Sequence, residues 1–267
     1  MIEEVFHIGS FSVSPFGVLL VLAFLASYFQ LRWGFRLLGI GDEEDASALL
    51  FAGGVGGIVG AKVYFAILYR DWRLLFDRAG LVWYGGFLLG TVCVMWVMRR
   101  RRLGFAATAD AVAPALALGY AVGRIGCFLV GDDYGVPTDG PLGVKFNVGP
   151  SPSTADTLHE QFGVPVPAGV PGDTVLAVHP TQLYETALAT LIWLFGCWLL
   201  KRQRRAGGTA LAIFALLACE RFAVEFLRAK DDRLIGSLTL AQGISLGILA
   251  LLLVLWQVRA RRAPAAA

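Results

Sequence analysis

The chain has 267 residues, of which 57% are hydrophobic and only 16% charged, and a net charge of +3. An ordinary soluble domain is about 45–50% apolar and about 25% charged. The two departures exclude a soluble single-core enzyme, a disordered chain and a coiled coil, and leave an all-α polytopic membrane protein. No long basic amphipathic stretch accompanies the small net charge, so nucleic acid is not an expected partner. Cys93, Cys127, Cys197 and Cys219 sit in apolar stretches without a CxxC pair; Cys93, Cys197 and Cys219 read as small buried hydrophobes. His7, His159 and His179 have no metal-ligand spacing, so no metal is expected.

In chain order, seven apolar segments read as transmembrane helices within one membrane domain covering 1–267. They are Pro15–Trp33, Ala46–Leu68, Leu81–Met98, Ala106–Val130, Pro180–Leu200, Gly208–Phe226 and Leu238–Gln257. Glu3 and Glu4 stand where a signal peptide would be basic, so the N-terminus does not read as one. Between spans four and five lies Gly131–Val178, rich in Gly, Pro and Asp. It reads as a loop-rich extramembrane cap that packs on the bundle and does not fold alone.

The basic residues are unevenly shared between the two sides. Arg32, Arg36, Arg99–Arg102, Lys201, Arg202, Arg204, Arg205, Arg259, Arg261 and Arg262 fall on one side. Arg70, Arg73, Arg78, Lys145, Arg228, Lys230 and Arg233 fall on the other. The bias puts the N-terminus and the cap outside and the C-terminus in the cytoplasm.

Lys62, Asp110, Arg124, Glu185, Glu220, Arg221 and Glu225 lie in or at the ends of apolar segments, where ionisable groups are costly and mark function by default. Lys62 follows the glycine-dense run Gly53–Gly60, which reads as close helix packing. Lys62 itself reads either as snorkelling or as holding an anionic headgroup. Asp110, near the start of span four, reads as a helix cap or dipole charge. Arg124 offers a fork of five donors suited to a phosphate, or to an internal pair with Asp132 or Glu225. Arg221, Glu225 and Arg228 share one helix face, where Glu225 serves as counter-ion until an anionic substrate arrives. The stretch His179-Pro180-Thr181-Gln182-Leu183-Tyr184-Glu185 opens span five; Gln182 and Glu185 share a face, and His179 reads as either structural or functional. Spans four, five and six thus bring Arg124, Gln182, Glu185, Arg221 and Glu225 to one depth in the outer leaflet. Two arginines among carboxylates, reached from lipid, suggest an anionic phospholipid substrate.

Five stretches carry a family resemblance: Gly57–Tyr64, Tyr84-Gly85-Gly86, Gly123-Arg124-Ile125-Gly126-Cys127-Phe128, His179–Glu185, and Arg221-Phe222-Ala223-Val224-Glu225-Phe226-Leu227-Arg228. Together and in this order they resemble the prolipoprotein diacylglyceryl transferases, bacterial inner-membrane enzymes of lipoprotein biosynthesis. The resemblance implies multi-pass insertion in the inner membrane and no cofactor. It implies two substrates, phosphatidylglycerol and the signal peptide of a preprolipoprotein with its lipobox cysteine. The diacylglyceryl group moves to the cysteine thiol as a thioether, and glycerol phosphate leaves. By matching positions Arg124 and Arg221 hold the phosphate and Glu225 orders Arg221, with Lys62, His179 and Gln182 as further substrate-binding residues. The chain departs from the family pattern at Tyr84, usually His; at Cys127, usually Asn; at Val130-Gly131-Asp132, usually Asn-Gly-Glu; and at Phe16, usually Tyr. Tyr84 is then expected to donate a hydrogen bond to the phosphate, and Asp132 or Glu225 to supply base function. The alternatives are a divergent paralogue that binds or transports anionic phospholipid, or one that transfers to a different acceptor.

Overall fold

A computed structural model describes residues 6–8, 11–76, 82–202, 205–230, 233–235 and 238–261. Its main elements are α1 (Pro15–Leu38), α2 (Glu43–Tyr69), α3 (Trp83–Arg100), α4 (Phe105–Val130), α5 (Thr181–Arg202), α6 (Gly208–Val224) and α7 (Leu240–Arg261). Among the described residues three short antiparallel strand pairs accompany them: β1 (Phe6–Ile8) with β2 (Phe11–Val13), β3 (Val144–Lys145) with β4 (Ala177–Val178), and β5 (Arg233–Ile235) with β6 (Leu238–Thr239).

Local chemistry sets the helix ends. Ser14 accepts a hydrogen bond from the Gly17 N–H, and Pro15 takes the first helical position of α1. Asp42 and Asp45 form a reciprocal capping box that starts α2 ahead of its apolar run. Glu43 in the first turn of α2 pairs with both Arg32 and Arg36, so α1 continues through its basic residues to Leu38.

Five helices, α1, α2, α4, α5 and α7, are long and apolar enough to cross a bilayer. α6 has 17 residues, and the 18 residues of α3 end in Arg99 and Arg100. Large apolar side chains such as Val21, Phe51 and Leu251 are exposed. This is the build of a helical, polytopic membrane protein, whose outward faces meet lipid.

The helices pack mainly as α1 on α4, α2 on α3, α5 on α4 and α7 on α6. The glycine run is the α2–α3 contact. A Cβ on Gly56 would lie 2.9 Å from Cys93 Sγ and 3.1 Å from Gly90 Cα, and one on Gly60 would collide with the Gly85 carbonyl. Small residues here let two backbones touch. Phe35, Ala46, Leu49, Met98 and Ala111 close one apolar core, and Ala113, Ala117, Ile192 and Ile213 another.

Asp110 caps a helix, though not its own. Its carboxylate, fully buried in α4, accepts hydrogen bonds from the N–H groups of Gly207 and Ala210 (2.7 Å for Ala210) at the start of α6. It satisfies donors that a helix N-terminus leaves unpaired.

The segment between α4 and α5 builds a small core of its own from Tyr134, Phe146, Leu158, Val164 and Val178, with Tyr134 stacked on Phe146 at 5.2 Å. Ala229, from beyond α6, completes it. Backbone hydrogen bonds tie this segment to the bundle: Gly135 N–H to His179 O (2.8 Å), Val136 N–H to Leu227 O (2.8 Å) and Ala229 N–H to Tyr134 O (3.2 Å).

Candidate functional site

The site begins where α4 stops. Gly131 adopts a left-handed conformation, φ 77°, and its N–H and that of Asp132 both return to the Cys127 carbonyl at 3.0 Å. The chain therefore turns back over the last turns of α4, where Arg124 lies. Asp133 is also left-handed, at φ 63°, a conformation in which Asp is tolerated better than most residues. The opening of α5 holds this turn. Thr181 Oγ1 donates to the Asp133 carbonyl at 2.8 Å, and the buried Gln182 Nε2 donates to the Asp132 carbonyl at 2.7 Å. Gly135 must be small here, because a Cβ would lie 2.8 Å from His179 Cβ and 2.9 Å from Thr181 Cγ2.

Three guanidinium groups converge below this turn. Arg124 of α4 pairs with Glu185 of α5, and its Nη1 lies 2.8 Å from Asp133 Oδ2. Arg221 of α6 places Nη1 3.6 Å from Glu185 Oε1 and Nη2 2.6 Å from Glu225 Oε2. Arg228, just past α6, pairs with Asp133 and reaches to 4.0 Å from Glu185 Oε1. Glu185 is fully buried at the hub of all three. Glu220, buried on α6, adds a further carboxyl whose Oε1 has no hydrogen-bond partner among the described residues.

Carboxylates compensate the guanidiniums without saturating them. Nε of Arg124 and Nε of Arg228 are buried without an acceptor among the described residues. Buried donors of this kind favour an anion that reaches them. The Asp133 carboxyl is raised by burial, but the charges of Arg228 and Arg124 outweigh that effect and hold it below its ordinary value. Asp132 moves the other way: burial and then the neighbouring Asp133 charge raise it. A cavity of about 270 Å3 opens over the turn, lined by Asp132, Asp133, Gln161, Phe162, Arg228 and Lys230.

A scan against family models matches residues 3–258 to the prolipoprotein diacylglyceryl transferase family. The chain is 34% identical to the phosphatidylglycerol–prolipoprotein diacylglyceryl transferase of Xanthomonas euvesicatoria, over 97% of this chain and 91% of that protein. It is 30% identical to the enzyme of that name from Geobacter sulfurreducens, over 86% of this chain and 83% of that one. The chain belongs to this family.

The predicted residues fall into two groups. Arg124, Arg221, Glu225, Gln182 and Asp132 come together at the turn, together with Arg228, which the sequence placed only on the Arg221 face. His179 flanks them: its Nδ1 lies 3.2 Å from Tyr184 Oη, and its backbone N–H donates to Val136 O at 3.0 Å. Tyr84 opens α3 and Lys62 sits on α2, so both belong to the α2–α3 pair rather than to the helices that carry the arginines. Cys127 does share the Arg124 face, with its Sγ 3.6 Å from Nη1. Glu185 was expected at the same depth as the arginines, but not as their hub, and one participant was missed. Asp133 sits in an acidic loop, where nothing in its neighbours distinguishes it from Asp132.

Proposed function

We propose that the chain transfers the diacylglyceryl group of phosphatidylglycerol to the cysteine thiol of a prolipoprotein signal peptide. The observation that supports this most is the convergence of Arg124, Arg221 and Arg228 on Glu185 within a bundle whose outer faces are apolar. In this reading Arg124 and Arg221 hold the lipid phosphate and stabilise the charge that develops on it. Glu225, 2.6 Å from Arg221, orients that guanidinium. The thiol sulfur bonds to the terminal glycerol carbon of the diacylglyceryl group. The carbon–oxygen bond to phosphate breaks, and glycerol phosphate leaves with the electron pair. Asp132 accepts the thiol proton, and Tyr84 donates a hydrogen bond to the phosphate. Gln182 and His179 hold the turn over the substrate, and Lys62 meets a lipid headgroup on the α2–α3 side.

The same reading makes the chain one membrane domain of seven spans in the bacterial inner membrane. Its N-terminus and the 131–178 cap lie on the periplasmic side and its C-terminus in the cytoplasm. The excess of Lys and Arg at one set of helix ends supports that orientation.

The test uses the purified full chain, phosphatidylglycerol and a synthetic lipobox peptide, followed by intact-mass analysis of the peptide. The expected product carries one diacylglyceryl group, with release of glycerol phosphate and no product from a Cys→Ser peptide. Lipid binding without transfer would overturn the proposal in favour of a lipid-binding paralogue.

A further inference from the structure

A groove of about 620 Å3 lies at the opposite end of the bundle, between the start of α4, the start of α6 and the end of α7. Ala109 in its wall is fifteen residues before Arg124 on the same helix, which is about 22 Å along the axis at 1.5 Å per residue. The groove is therefore separate from the arginine cluster.

Its walls are apolar, formed by Ala109, Phe214, Leu252 and Leu255 among others, while Arg205 and Arg259 stand at its mouth. Arg259 Nη2 donates to the Arg205 carbonyl at 2.8 Å, which fixes that guanidinium in place. Gly208 leaves room for it, since a Cβ there would come within 3.1 Å of Arg259 Nη1. Among the described residues neither arginine has a carboxylate within ion-pair distance. Asp110 is committed to the backbone of Gly207 and Ala210.

An apolar trough that ends in two guanidiniums with no carboxylate beside them among the described residues matches an acyl chain joined to a phosphate. The neighbouring helix has reason to need such a ligand. Only 11% of the apolar stretch of α7 is buried in the protein, and its main helix contact is α6. A lipid in the groove would join α7 to α4 and α6.

We propose that this groove binds an anionic phospholipid of the leaflet opposite the arginine cluster, as a structural ligand that seats α7. The proposal does not rest on the transfer reaction. With the orientation given above, that leaflet is the cytoplasmic one.

The test reconstitutes the full chain in phosphatidylcholine nanodiscs carrying a trace of phosphatidylglycerol with a diazirine at the end of one acyl chain. The control is phosphatidylcholine with the same diazirine chain. After illumination, labelled peptides are read by mass spectrometry. The phosphatidylglycerol probe should label the peptides holding Phe214 and Leu252–Leu255 about fivefold or more over the control, the preference expected for about one guanidinium contact. Arg205→Gln with Arg259→Gln should reduce that labelling to the control level. Leu252→Trp, which fills the trough with both arginines intact, should do the same. Arg124→Ala with Arg221→Ala should leave it unchanged. Equal labelling by the two probes, or labelling indifferent to both Arg205→Gln/Arg259→Gln and Leu252→Trp, would overturn the proposal. So would labelling that rises when residues 262–267 are removed, because the occupant would then be the tail of this chain.

Discussion

Arg124 and Asp133 are nine residues apart in the chain, yet their side chains meet at 2.8 Å. The meeting follows from the helix end, because two left-handed residues, Gly131 and Asp133, fold the loop back over the last turns of α4. The left-handed conformation costs a non-glycine residue roughly 1–2 kcal/mol. Asp133 offsets that cost by bridging the guanidiniums of Arg124 and Arg228. Its neighbour Asp132 instead uses its carboxylate to accept the Asp133 N–H, at 2.9 Å.

The two aspartates should therefore respond oppositely to loss of charge. The carboxyl of Asp133 is held below its ordinary value. Its contribution to stability is present above the unfolded value of about 3.9 and is lost as pH falls through the folded value. The carboxyl of Asp132 is raised, so its charge opposes folding above its folded value. At neutral pH, Asp133→Asn should lower the thermal midpoint of the detergent-solubilised protein and weaken its acid dependence, while Asp132→Asn should raise the midpoint. Midpoint shifts of the same sign would show that the charges on this turn are not arranged as described.

The arginines should separate charge from shape. If Arg124 and Arg221 clamp the phosphate as proposed, Arg124→Ala and Arg221→Ala each remove charge-assisted contacts worth roughly 1.5–3 kcal/mol or more. Each should abolish peptide lipidation while the protein still inserts in the membrane. Lys at either position should not restore full activity, because a point charge cannot reproduce the fork that holds Glu185 and a phosphate together. Normal product formation by both alanine variants would end the phosphate-clamp assignment.

Glu185 should matter as much as the arginines do. It is fully buried and faces three guanidiniums. Glu185→Gln keeps the shape and removes the charge, leaving Asp133 and Glu225 to balance Arg124, Arg221 and Arg228. Breaking a buried ion pair in this way costs roughly 3–5 kcal/mol. The variant should unfold in milder detergent or at lower temperature than Asp133→Asn, whose side chain is partly open to solvent. A Glu185→Gln protein as stable as the parent would show that the hub is not the charge balance of the site.

Much of this was readable in the chain, for a physical reason. Apolar runs long enough to span a bilayer leave few alternatives: each predicted segment overlaps a helix, with Leu81 outside the described residues, and five of those helices are long and apolar enough to cross a bilayer. The ends differ where charge belongs to the helix: α1 runs five residues past Trp33 because Arg32 and Arg36 pair with Glu43. Arg124, Arg221 and Glu225 stood out because charge is rare in such runs. Pairings between helices were not readable. Asp110 looked like a cap, and only the fold shows that it caps α6. The strands β1–β6, of two or three residues, are too short to carry an alternating pattern.

The Asp110 cap gives a prediction remote from the arginine cluster. Asp110→Ala leaves the N–H groups of Gly207 and Ala210 without their acceptor. Caps of this kind are worth about 1–2 kcal/mol. The variant should lose stability by about that amount and show faster amide exchange at residues 207–210, while the Michaelis constant for phosphatidylglycerol stays unchanged. A changed Michaelis constant with normal exchange would place the effect of Asp110 in the site instead of in α6.

The last prediction concerns Cys127 and Tyr84. Cys127 Sγ lies 3.6 Å from Arg124 Nη1, close enough to suggest a nucleophile activated by the arginine. Direct transfer to the acceptor thiol needs no enzyme thiol, however, and Cys127 is then a small, half-buried residue beside the arginine. Cys127→Ser should therefore keep most of the activity, and the parent protein should form no lipid adduct on Cys127. Tyr84 is 39% exposed in the first turn of α3. Tyr84→Phe should lower the turnover rate roughly tenfold, the effect of one hydrogen bond of about 1.4 kcal/mol made in the transition state. Turnover of the lipobox peptide and intact-mass analysis of the enzyme measure both. A diacylglyceryl adduct on Cys127, or full activity in Tyr84→Phe with none in Cys127→Ser, would reverse the two assignments.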